Sequence, residues 1–181
     1  MKKLVMMCVA LGGMACAVAG TPPRPAIEDV ADGMPANSDS AGCCDASGEE
    51  YDRIDVTRAV ESLFAAMRSR DTTAIRAAFA PNSQLVSIRT ALGSPPRVQV
   101  TPVSAFITSI GRATEALDEK MWDPRVEVAG DMASLWAPYD FRIGTTFSHC
   151  GHDAVHLART AEGWKVVGVT YTVITAGCSA R

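Results

Sequence analysis

The feature that most restricts the fold is a change of period along the chain. Val56, Val60, Leu63, Phe64 and Met67 recur at helical spacing and mark one face of a helix. Asp55 is placed to cap its start. Asp71 is placed to cap a second, short helix with Ile75 and Phe79 inward, ended by Pro81-Asn82. Residues 84–90 read as a strand and 93–97 as a loop. Thr101 as cap and Pro102 as first helical residue open a third helix, with Val103, Phe106 and Ile110 on its inner face. After Trp122 the period becomes two. Val126 and Val128 alternate, and Gly130-Asp131 turns the chain. Leu135, Ala137, Tyr139, Phe141 and Ile143 then share one strand face, and Met132, Ser134, Trp136, Pro138, Asp140 and Arg142 the other. Two more strands follow, at 154–160 and 164–173, joined by Glu162-Gly163. Helices first and long antiparallel strands last predict an α+β domain. Three long strands with one helix-covered face must curl to bury their aromatic residues.

The first fifty residues are of another kind. Met1-Lys2-Lys3 precedes an apolar run from Leu4 to Gly20, and Ala17-Val18-Ala19 supplies small residues before a cut. Residues 1–19 are therefore read as a signal peptide, and the protein is expected in the periplasm or secreted. Cys16, in Gly13-Met14-Ala15-Cys16, leaves a lipid anchor as the alternative. Nothing later is long and apolar enough for a membrane span. Residues 20–50, with Pro22, Pro23, Pro25 and Pro35 among many polar residues, read as a flexible leader. The folded domain is then 51–178. Losing Lys2 and Lys3 takes the formal charge from -3 to -5. Such a balance argues against a grip on nucleic acid, which needs Lys and Arg on phosphates.

Export makes disulfides possible. The mature chain carries Cys43, Cys44, Cys150 and Cys178, which allow three full pairings. Both members of the adjacent pair could reach Cys150 and Cys178. Alternatively Cys150 and Cys178 bond to each other and leave the leader pair unexplained. The spacing does not match a tetrahedral sulfur site, and no metal or cofactor is expected.

Several motifs point to a family. Met67, Asp71 and Phe79-Ala80-Pro81-Asn82 come first. Tyr139-x-Phe141, Ser148-His149-Cys150-Gly151, Asp153-Ala154, Leu157-x-Arg159, Gly163-Trp164-Lys165-Val166 and Tyr171-Thr172 follow. Together they resemble the nuclear-transport-factor-2-like (NTF2-like) superfamily, and within it the SnoaL-like and "putative lumazine-binding" branch. The resemblance runs from Val56 to Cys178. It implies a cone-shaped, cystatin-like fold: N-terminal helices on a strongly curved, mostly antiparallel sheet, with a pocket at the open end. It also implies a homodimer through the outer face of the sheet. The superfamily includes ketosteroid isomerases, dehydratases, cyclases and noncatalytic proteins, and fold does not choose among them. Ketosteroid isomerases place an acidic base near the end of the first strand. Here Ser87, Ile88 and Arg89 occupy that neighbourhood, which argues against steroid isomerisation.

The residues themselves offer few catalytic candidates. His149 has a suitable pKa for acid–base work. Asp140 could draw a proton while Tyr139 or His149 stabilises the oxyanion. Tyr139 and Asp140 point to opposite faces of a regular strand, so that set needs a bulge. His152 and His156 sit about 13 Å apart on a strand, too far for joint metal coordination. Trp136, Tyr139, His149 and Trp122 are the candidate ligand-binding residues. Trp164 reads as core. The leading expectation is an exported, noncatalytic domain that binds a small apolar molecule and forms a homodimer. A cofactor-free isomerase, dehydratase or cyclase working by acid–base chemistry in the cone is the alternative. An accessory or inhibitory protein-binding subunit is the third.

Overall fold

A computed structural model describes residues 46–91 and 93–178. All lie in the second of two units of the chain, Ala41–Arg181. The signal peptide, Cys16, and the Cys43-Cys44 pair fall outside the described residues.

Three helices precede or interrupt the sheet. Helix α1 spans Ala46–Ser69, α2 Thr72–Ala78 and α3 Val103–Arg112. The expected apolar face of α1 is buried: Val56 and Val60 are fully covered, and Leu63, Phe64 and Met67 nearly so. Asp55 is not its cap, because the helix begins nine residues earlier; it pairs instead with Arg58. Asp71 does cap α2, accepting hydrogen bonds from the Thr73 and Ala74 amides at 3.0 Å. Those amides have no partner inside the helix, so the side chain supplies one. Helix α3 starts one residue later than its sequence suggests. Pro102 takes the cap position without a side-chain bond, and Thr101 belongs to the preceding strand.

Seven strands form one sheet: β1 Phe79–Arg89, β2 Arg97–Pro102, β3 Leu117–Met121, β4 Arg125–Ala129, β5 Met132–Ile143, β6 Thr146–Thr160 and β7 Gly163–Val173. Their order is β2-β1-β7-β6-β5-β3, and β4 also pairs with β5. β4 lies along Met132–Trp136 of β5, and β3 along Tyr139–Ile143. Only β1 and β7 run parallel. The sheet is curled and unclosed, as an α+β cone requires. Register shifts at Phe141/Arg142 and His156/Leu157 add local bends to the long strands.

The helices fill the concave side. Ile75, Ile107 and Ile110 join the α1 stripe against Leu135, Ala137, Val155, Leu157 and Val166. Trp164 is in this core as expected, with the Arg159 guanidinium 4.4 Å over its ring.

Cys150 and Cys178 are bonded to each other. The bridge holds the segment after β7 against β6, where Cys150 and Ile174 exchange two backbone hydrogen bonds of 3.0 and 2.9 Å. No described helix is long and apolar enough to cross a membrane. A structural disulfide fits an extracytoplasmic protein.

Candidate functional site

Alternation decides what reaches the inside of the cone. Residues paired across neighbouring strands point to one face. One concave row runs Ala137, Asp153, Tyr171, Ser87 and Gln99 across β5, β6, β7, β1 and β2. Another runs Glu119, Phe141 and His149 across β3, β5 and β6. Between these rows and the helices lies a cavity of about 310 Å³. Leu63, Phe64, Met67, Phe79, Phe106 and Val169 make much of its wall apolar. Its volume sits at the lower end of the range for small-molecule pockets, about 300–1,000 Å³.

Two carboxyl groups enter this apolar space. Asp153 is only 2% exposed. Glu119 and Asp153 lie close enough to act on each other's titration. Burial raises both from the ordinary carboxylate range, and the neighbouring Asp153 raises Glu119 further. Asp153 is pushed up to about 7. Two close carboxyls, one fully buried and one half-buried, disfavour ionising together, so they titrate as a unit above the ordinary carboxylate range. Asp153 Oδ2 has no hydrogen-bond partner among the described residues. A buried, unpartnered carboxyl oxygen is costly to maintain.

Aromatic and imidazole groups complete the wall. The Tyr139 hydroxyl donates to the Thr172 carbonyl at 2.8 Å. Its proton is therefore engaged, and burial pushes the phenol well above its ordinary pKa. Gly151 makes this reach possible: a Cβ there would stand 2.0 Å from the Thr172 oxygen and 2.8 Å from the Tyr139 ring. His149 stacks on Phe141, with ring centres 4.9 Å apart, and meets Tyr139 edge-on at 5.7 Å. Its Nδ1 lies 2.9 Å from Ser148 Oγ. Burial, and next the Arg89 charge, hold His149 below its ordinary pKa, so it is neutral at pH 7.

The structure brings together only some of the sequence candidates. Tyr139 and His149 line the cavity. Asp140 does not; it is buried beside Asp118, Lys120, Trp122 and Arg142 in a separate small cavity. Arg142 turns to the Thr145 carbonyl and the Phe147 ring. Trp136 is 44% exposed on the convex face, stacked on His152 at 5.5 Å. The β5 pleat separates Trp136 and Asp140 from Tyr139, and no bulge lies between them to change that. Glu119 and Asp153 are the residues that sequence reasoning missed. Asp153 shares its alternation with the buried Val155 and Leu157, and Glu119 lies between Leu117 and Met121, a readable but short signal. Among the described residues, no three His, Cys, Asp or Glu side chains gather as a metal site.

Comparison with solved structures decides the fold. An NTF2-like protein with a cystatin-like fold from Novosphingobium aromaticivorans aligns with TM-score 0.57 and 16% identity, over 75% of this chain and 90% of that one. The chain has the NTF2-like fold. A second NTF2-like protein, from Cytophaga hutchinsonii, gives TM-score 0.57 and 13% identity, over 67% of this chain and 98% of its own. A protein from Streptomyces avermitilis described as "a putative dehydratase from the NTF2-like family" gives 0.52 and 17%, over 70% and 99%. No protein-family model and no curated protein sequence matches this chain. The NTF2-like fold accounts for the cone and its cavity; the paired carboxyls are this chain's own side chains on that frame.

Proposed function

We propose that the cone binds a small apolar carbonyl compound and catalyses proton transfer on it without a cofactor. This reading sets the chain beside the isomerases, dehydratases and cyclases of the fold, and beside the SnoaL-like branch that its motifs from Met67 to Thr172 resemble when taken together. The observation that carries the reading is the Glu119–Asp153 pair in an apolar cavity, with Asp153 Oδ2 unpartnered. A carboxyl pKa near 7 suits a general base at neutral pH. In the proposed step Asp153 takes a proton from the carbon next to the carbonyl. Glu119 gives its own proton to the carbonyl oxygen, and the product is the enol. One proton moves to the pair and one leaves it, so no redox partner is needed. The Streptomyces avermitilis protein's name supports the reading by analogy alone.

Deuterium exchange tests it. Small enolisable aryl ketones in D₂O should gain deuterium next to the carbonyl faster with the protein than without. Asp153→Asn should lower that rate roughly a hundredfold or more. Equal exchange by protein and variant would remove the catalytic reading and leave a noncatalytic binding domain.

A second reading concerns a partner, and the convex face favours it. One row there runs Trp136, Ala154, Thr170, Val86 and Val100 across five strands. Val98 and Val100 are 65% and 54% exposed. Exposed apolar side chains such as Val98, Val100 and Trp136 suit contact with another protein surface. We propose that a second copy covers it, in the periplasm or outside the cell. Light scattering after gel filtration should give twice the subunit mass, and Val100→Lys should return the monomer. A wild-type monomer at micromolar concentration would overturn the dimer.

A further inference from the structure

Arg89 is not needed by the proton transfer proposed above, yet it lines the same cavity. It is the last residue of β1, between Arg97 of β2 and Val173 of β7. Arg89 and Arg97 are directly opposed in an antiparallel pair, so both side chains leave the sheet on its concave side. Like charges so placed repel each other. Neither forms an ion pair with a carboxylate among the described residues, although Arg58, Arg68 and Arg159 all do. Charges on an edge strand discourage edge-to-edge pairing, and Arg97 has that explanation. Arg89 does not, because β1 is paired on both sides.

Its surroundings point inward. The Arg89 charge acts on His149, Tyr139 and Tyr171, all cavity residues and all uncharged at neutral pH. Arg89 is exposed, so its head stands where the cavity meets solvent. A guanidinium at the edge of an apolar cavity, facing neutral rings and a second guanidinium, is complementary to a planar anion.

We propose that Arg89, seconded by Arg97, is an anion subsite at the cavity mouth that selects small apolar carboxylates, holding the carboxylate at the rim and the apolar body inside. This rests on the cavity being a ligand site and deepens that reading by naming the substrate class: a compact apolar acid bearing an enolisable carbonyl. The guanidinium fork binds two carboxylate oxygens. The distance from rim to Asp153 then sets which carbon of the ligand meets the base.

Two matched probes test it, hydrocinnamate and hydrocinnamide, which share a body and differ in charge. Binding is read by titration calorimetry and by shifts of the Tyr139 and His149 ring resonances, at fixed low salt. The carboxylate should bind at least about tenfold more tightly than the amide, as expected for a charge-assisted contact. Arg89→Gln should erase that preference while leaving amide binding unchanged, which also shows that the variant is folded. Arg97→Gln should reduce the preference by less. Equal affinity of the two probes for the wild type, with both moving the ring resonances, would overturn the anion subsite and leave the cavity reading intact. If neither probe moves them, both readings fall.

Discussion

Replacing the carboxyl pair with amides, Glu119→Gln with Asp153→Asn, is expected to reverse the pH dependence of stability. In the wild type Asp153 titrates near 7 when folded, against 3.8 for an ordinary aspartate. Glu119 is raised in the same direction. The folded protein therefore holds more protons than the unfolded chain between these values. Stability from this source is complete below about pH 4 and is lost as the pH rises towards 7. Both shifts act in the same direction, so the pair as a unit loses stability as the pH rises. His149 acts oppositely. Its folded pKa is depressed, so its contribution is present above its ordinary value of 6.5 and lost as the pH falls. The double variant should keep only this second slope. Urea unfolding at intervals from pH 4 to 8 would show wild-type stability falling with pH and the variant's rising or flat. At pH 8 the variant should be the more stable. A wild-type curve without the fall would mean that the pair is ionised in the folded state, and its raised titration would be lost with it.

The second large effect belongs to the disulfide. Cys150 and Cys178 are 28 residues apart. Closing a loop of that size removes unfolded-chain entropy worth about 3 to 4 kcal/mol. The variant Cys150→Ser with Cys178→Ser should lose that amount in urea unfolding at neutral pH. The cavity should survive the change, since Cys150 is paired with Asp140 on the convex side while His149 and Gly151 face inward. A loss below about 1 kcal/mol would show that the two strand-end hydrogen bonds between Cys150 and Ile174 already restrain this segment by themselves.

Much of the frame was legible in the sequence, and the reasons are local. The α1 stripe and the long alternations of β5 and β7 each repeat several times, so their periods stand out. β2 was read as loop and helix entry, because an edge strand with mostly exposed residues has no buried face to write into its pattern. β3 leaves little trace in the sequence, because it is five residues long and Asp118-Glu119-Lys120 puts three charges in it. Glu119 turns inward because Leu117 and Met121 share its face and the pleat permits no other choice. The size of Trp136 suggested the pocket, but its parity with Asp140 placed it outside. Asp153 shares its parity with Val155 and Leu157, which turns it inward. What no local pattern could show is the meeting of Glu119 and Asp153, which lie on strands separated by β5 and come together only when the sheet curls.

The one parallel pairing in the sheet has a consequence for assembly. β1 and β7 lie side by side, but almost the whole domain separates them along the chain. Contacts between distant segments form late, since a long loop must close before they return any energy. The β5–β6–β7 meander can form from neighbouring segments, whereas β1 must find β7 after β7 exists. Arg89 reaches its place beside Val173 only at that step. The cavity between helices and sheet is therefore completed only when β1 docks beside β7. Before that closing event Asp153 stands open to water, and it enters its apolar surroundings in one step with Arg89.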